Sequence, residues 1–170
     1  MFLKYVRAGL VVAGVAHGSG FAISRTMRGQ WSAPCFVTLT RLEVGALAGF
    51  EQVASLMAAI TRRGLELLAS GTRQSFGTDV TVRPWPIPLQ QNAIDALNVD
   101  SDWIVANVQR KGVFIEFGLT AGFMSADESL NRKVYGKDIN AEDILHGIVP
   151  RPPEMESLYR RIDEIAFGHM

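Results

Sequence analysis

The chain has little cysteine, no acid before Glu43, no long apolar run and no cluster of metal-ligating side chains. Each shortage closes off a class of structure or chemistry. Cys35 is the only cysteine, so no intrachain disulfide staples the fold, which fits a reducing compartment. No apolar stretch reaches the roughly 18 residues that a membrane-spanning helix needs. His17, His146 and His169 are scattered and, beside a single cysteine, give no zinc-ligand spacing. Ahead of Glu43 the charged residues are all basic: Lys4, Arg7, Arg25, Arg28 and Arg41.

That one-sided start is part of a wider split. Residues 1–83 carry nine Lys/Arg against four acids, and residues 84–170 carry eight against thirteen, so the formal net charge of zero hides two opposed halves. Two readings follow: the halves interleave and pair locally, or a basic face meets phosphate headgroups or an acidic protein. Bulk attraction to nucleic acid is excluded by a pI near 6.8.

With 170 residues, 48% of them hydrophobic and 20% charged, the composition is that of one globular domain spanning residues 1–170. The N-terminus imitates a secretory signal, with Lys4 and Arg7 before the apolar residues 8–16. Two glycines in that run and the strand-like Gly20-Phe21-Ala22-Ile23-Ser24 behind it favour a buried strand and a cytoplasmic protein.

The first half reads as β-rich. Val6–Val15 and Gly20–Arg25 are expected strands about a Gly18-Ser19-Gly20 turn, followed by a turn at Met27-Arg28-Gly29-Gln30. Pro34 precedes a strand over Cys35–Thr40, and Gly45 and Gly49 predict a bent or bulged strand from Glu43 to Gly49. Val53, Leu56, Met57 and Ile60 suit a helix or a strand equally. Asp79–Arg83 and Val113–Leu119 alternate as strands do. Without regular βαβ alternation, the fold class is α+β, a curled and mainly antiparallel sheet with a few packed helices.

Three helices are expected. Thr61 caps Arg62–Ala69, which stops at Ser70-Gly71. Asn140 caps Ala141–Leu145, with Asp143 completing a capping box and Gly147 as the stop. Pro152-Pro153 opens a helix over about 153–167, striped by Met155, Leu158, Tyr159, Ile162, Ile165 and Ala166.

No catalytic set emerges, and no cofactor is implied. His17-Gly18-Ser19-Gly20 lacks the frame of a nucleophile elbow, a phosphate loop or a dinucleotide fingerprint, so its glycines read as turn residues. Asp100, Asp102, Asp127 and Glu128 read as solvated loops and caps. The chain is expected to be a binding protein and not an enzyme.

Five blocks, in order, resemble the SYLF domain. They are Arg7-Ala8-Gly9 through Gly14 to His17-Gly18-Ser19-Gly20; Trp31-Ser32-Ala33-Pro34-Cys35-Phe36; Phe76-Gly77-Thr78-Asp79-Val80-Thr81-Val82; Val108-Gln109-Arg110-Lys111-Gly112-Val113-Phe114; and Asn131-Arg132-Lys133-Val134-Tyr135-Gly136-Lys137. Together they cover about residues 4–147. The resemblance implies a domain of eukaryotic endocytic proteins and of many bacterial ones, whose members bind phosphoinositides and other anionic lipids. Some fungal members bind and bundle actin filaments. Two departures stand out. The family's usual helical segment before the hairpin is not matched, which predicts weaker membrane binding, and Arg83-Pro84-Trp85-Pro86-Ile87-Pro88 replaces a short small-residue loop.

The expected lipid-binding residues are Lys4, Arg7, Arg110, Lys111, Arg132, Lys133 and Lys137. Arg110-Lys111, read as a turn before a strand, is expected to contact phosphate directly, and Arg132, Lys133 and Lys137 flank another turn. Lys4 and Arg7 are the fallback site. The same residues read as ordinary solvated charge. Trp31 is expected in the core and Trp85 at the surface. Pro150-Arg151-Pro152-Pro153 reads as a polyproline ligand or as the lead-in to the last helix. The implied partner is an anionic phospholipid membrane met peripherally, with actin as the alternative.

Overall fold

The computed structural model describes residues 1–10, 13–59, 61–69, 74–82 and 103–167. The described residues form five antiparallel strands and four α-helices, the α+β class expected. β1 (Phe2–Leu10) and β2 (Ala13–Ala22) pair from Phe2 opposite Phe21 to Leu10 opposite Ala13. The chain therefore reverses between Leu10 and Ala13, and the turn expected at Gly18-Ser19-Gly20 is corrected: those residues lie inside β2. Gly18 serves packing instead. A Cβ there would run into the Cβ of Tyr5 and the carbonyl of Lys4, so only glycine lets the two strands approach.

The turn at residues 27–30 is present. Gly29 takes φ 75°, Thr26 N–H donates to the Gln30 carbonyl at 2.8 Å, and Arg25 bridges to Trp31. β3 then starts at Cys35, directly after Pro34, and runs to Ala59. The segment that suited helix or strand is thus strand, from Val53 to Ala59. β3 pairs with β2 from Cys35 to Val44 and with β1 from Ala48 to Leu56. β1 and β2 run in opposite directions and β3 is antiparallel to both, so β3 must turn back between Val44 and Ala48, around the tip of the hairpin. The bend expected near Gly45 and Gly49 is there, and the bulge lies further on, at Leu56/Met57.

β5 (Trp103–Ala126) follows the other edge of β3 through the same bend, from Val37 opposite Ala126 to Ala59 opposite Trp103. The expected strand Val113–Leu119 is its middle. β4 (Gln74–Val82) lines the last part of β5. Cut across, the sheet reads β4, β5, β3, β2, β1, β3, β5: five strands giving seven ranks.

Local chemistry sets the helix starts. α1 (Arg62–Ala69) opens where the Thr61 hydroxyl accepts from Gly64 N–H at 3.1 Å. Its expected stop at Ser70-Gly71 lies outside the described residues. α2 (Glu128–Tyr135) was not expected. Asp127 caps it, accepting from Leu130 N–H at 2.9 Å, and Glu128 pairs with Arg132 at 3.2 Å one turn on. α3 (Ala141–Leu145) has the expected capping box between Asn140 and Asp143, and Gly147 behind it takes φ 79°. α4 (Glu156–Phe167) follows a 3-10 turn at Pro153–Met155, so Pro150–Pro153 leads into it.

The helices cover one face of the sheet. Leu68 of α1 and Ile144 and Leu145 of α3 join Tyr5, Val37, Val53 and Met124 of the strands in one buried cluster. Tyr159 of α4 is buried and donates to the Ser32 carbonyl at 3.0 Å, while Arg151 stacks 5.0 Å above its ring. Trp31, expected in the core, is half-buried and ties to α4 through Asp163 at 2.8 Å. Ser24 donates its hydroxyl to the Leu145 carbonyl, joining the loop after β2 to α3.

Candidate functional site

Successive strand residues face opposite sides, so the register sorts the sheet's charges by face. On β1, Tyr5 is buried under the helices and Lys4 is exposed on the other side. Arg7 shares the parity of Tyr5 and sits opposite Glu51, which is buried. Arg110 registers with Val53, itself opposite Tyr5, whereas Lys111 registers with Gln52 and is exposed. Arg110-Lys111 is therefore not a turn. It lies within β5, and strand alternation divides the two residues between the two faces. Gly112 beside them takes φ 113°, and a Cβ there would meet the Phe50 carbonyl, so both backbone and packing require glycine.

Arg132 and Lys133 lie in the last turn of α2, and Lys137 follows its C-cap Gly136 in the turn they were expected to flank. All three are exposed. α2 is clamped to the start of β3: the Asn131 carboxamide accepts from Phe36 N–H at 2.8 Å and donates to the Phe36 carbonyl at 3.0 Å. Tyr135 donates to the Pro34 carbonyl at 2.7 Å and stacks on Phe36. Burial pushes the Tyr135 hydroxyl up to about 12, with Tyr159 and Cys35 adding to the shift. Trp85, Asp100 and Asp102 lie outside the described residues. Asp127 and Glu128 are cap and first-turn residues, as read. Among the described residues no group of three or more His, Cys, Asp or Glu side chains stands ready to hold a metal.

The face away from the helices is the feature missed in the sequence. Its register positions on β1 and β2 are Phe2, Lys4, Val6, Ala8, Val15, His17, Ser19 and Phe21. On β3 they run as every second residue from Phe36 to Leu56, and on β5 as every second residue from Asn107 to Ser125. No acid occupies any of these positions, and Lys4 and Lys111 are the only residues there with full charge. By register, Glu43, Glu51, Glu116 and the arginines 7, 41 and 110 all share the parity of Tyr5. Phe2, Val15, Leu42, Phe50 and Leu56 are 40–53% exposed on the open face. A period-2 reading of charge from Phe36 to Leu56 is the signal that finds it.

The open face is banded. Phe50, Ala8, Val15 and Leu42 register in one apolar row, and Leu56, Phe2, Phe21 and Phe36 in another. Phe2 and Phe21 meet with ring centroids 5.9 Å apart. Between the rows lie Gln52, Val6, His17 and Thr40, then Ala54, Lys4, Ser19 and Thr38, a mainly polar band in which His17 and Thr40 are 3.5 Å apart. Lys4, Tyr5, Val6, His17, Gly18 and Ser19 line a small open depression at this band. Such a face offers ammonium and hydroxyl groups to phosphate and apolar surface on either side of them.

Comparison with known proteins gives a consistent family. The model of the Ysc84 family, described as Las17-binding protein actin regulator, matches residues 40–165. The human SH3 domain-containing YSC84-like protein 1 is 30% identical over 161 residues, covering 95% of this chain and 46% of that protein. Its Xenopus laevis counterpart is 28% identical over 162 residues, covering 95% of this chain and 48% of that protein. LAS seventeen-binding protein 3 of Saccharomyces cerevisiae is 26% identical over 168 residues, covering 98% of this chain and 36% of that protein. The chain thus spans less than half the length of these relatives. No solved structure matches it significantly.

Proposed function

The chain belongs to the Ysc84 family, the SYLF domain, and on that premise we propose that it is a non-enzymatic docking module of actin-regulatory machinery that binds anionic phospholipid membranes peripherally, at the cytoplasmic side. The observation that carries the lipid reading is the open sheet face, whose only full charges among the described residues are Lys4 and Lys111. Exposed Arg132, Lys133 and Lys137 add cations on α2 and its exit. Each basic residue near an anionic surface is worth on the order of 1 kcal/mol, screened within a Debye length. Among the described residues no helix is long and apolar enough to cross a membrane.

A second reading, direct binding to actin filaments, is favoured by the description of the matching family as actin regulators and by the name of the yeast relative. Co-sedimentation separates the two. Vesicles of phosphatidylcholine with phosphatidylserine or a phosphoinositide are expected to pull the protein down, and binding is expected to fall steeply from low to moderate salt. Pelleting with actin filaments but with no vesicle would replace the lipid reading by the second.

A further inference from the structure

We propose that the open sheet face is itself the membrane-binding surface, with the Lys4–His17–Ser19 depression receiving a lipid phosphate and the two apolar rows settling into the headgroup–acyl boundary on either side. The inference rests on the lipid reading above and adds which surface binds and how. Antiparallel sheets with one covered face ordinarily bury apolar residues and expose polar ones. Here charge and exposure are partly inverted. Glu51 is buried on the parity of Tyr5, a parity that Arg7 and Arg110 share by register, and phenylalanine, leucine and valine stand exposed on the other. A contiguous exposed apolar surface of this kind marks a docking site.

The occupant follows from the charge that remains. Lys4 and Lys111 lie two ranks apart, on β1 and β5 with β3 between them, and among the described residues no acid shares the face. A second copy of the chain docked face to face would bring lysine to lysine with no acid to offset them. An anionic bilayer supplies the missing negative charge, and lysine reaches it while its methylene stem lies along apolar surface. Ser19, whose hydroxyl can donate to a phosphate oxygen, and His17 line the depression beside Lys4, and the Thr40 hydroxyl lies 3.5 Å from the His17 ring. Phe2 and Phe50 stand in the two flanking rows, one on each side of the polar band.

The test uses the full chain with vesicles of phosphatidylcholine alone and with added phosphatidylserine. Leu42→Gln with Phe50→Gln is expected to weaken binding about tenfold or more at every salt concentration. Lys4→Ala with Lys111→Ala is expected to weaken it by a similar factor at low salt and to flatten the salt dependence. Arg160→Ala with Arg161→Ala, on exposed α4 positions, is expected to bind as the wild type does. In a separate Phe50→Trp variant, brominated acyl chains are expected to quench the new fluorescence, a readout independent of affinity.

A wild type that binds while both open-face double variants bind equally well would overturn the proposal and leave the lipid reading standing. Absence of quenching in bound Phe50→Trp would do the same. A wild type that binds no vesicle removes the lipid reading itself, and the proposal with it. Concentration-dependent dimerisation abolished by Leu42→Gln with Phe50→Gln would assign the face to a second copy and overturn the membrane proposal.

Discussion

At the scale of single residues, Cys35 illustrates how position sets chemistry. It opens β3 fully buried, and burial pushes its thiol from the ordinary 9.0 up to about 12, with Glu128 adding to the rise and the Asn131 hydrogen bond opposing it. A thiol held neutral in the fold ionises more readily once unfolded. Its contribution to stability is therefore complete below pH 9 and lost as pH climbs from 9 towards 12, at about 1.4 kcal/mol per pH unit. The expected outcome is a denaturation midpoint that declines above pH 9, with a visibly shallower decline in Cys35→Ala. Thiol reagents are expected to label Cys35 only in denaturant.

At the scale of elements, what the sequence revealed depended on whether the signal was local. The caps at Thr61 and Asn140 are closed within three residues of themselves, so α1 and α3 were legible from those residues alone. Gly18-Ser19-Gly20 has turn composition for a reason that only packing reveals: Gly18 faces Tyr5 from the neighbouring strand. The true reversal, between Leu10 and Ala13, falls in an apolar stretch with no turn signal. The turn at 137–138 was legible but the helix before it was not, because Arg132 and Lys133 read as solvated charge, although Asp127 as a cap and the Glu128–Arg132 spacing signal α2. Arg110-Lys111 was misplaced for want of strand context, since pairing with β3 lies more than fifty residues away in sequence. Gly18→Ala tests the packing account. It is expected to destabilise by about 3 kcal/mol, the upper range for overpacking, whereas exposed Ser19→Ala should stay within about 0.5 kcal/mol. Urea denaturation of the two variants measures both.

At the scale of the whole molecule, the two faces of the sheet obey different rules. The covered face carries the stability, through Tyr5, Val53, Met124 and the helix residues packed on them. The open face contributes little to it, so Leu42→Gln and Phe50→Gln are each expected to leave the thermal midpoint nearly unchanged, within about 0.5 kcal/mol, and to reduce aggregation on heating. Static light scattering during a melt reads both outcomes. A large loss of stability would show that those side chains support the fold.

The bend of β3 around the hairpin also fixes the order in which the chain can assemble. β1 and β2 meet within the first 22 residues and form from neighbouring sequence, but the outer edge of β3 has to wait for β5. During synthesis that edge, complete at Ala59, stays without its partner until Ala126 has been added. At about 5–20 residues per second the interval is roughly 3–13 s. For that time a long run of unpaired backbone is open to pairing with other chains, so the nascent protein passes through its most aggregation-prone state just before its sheet can close.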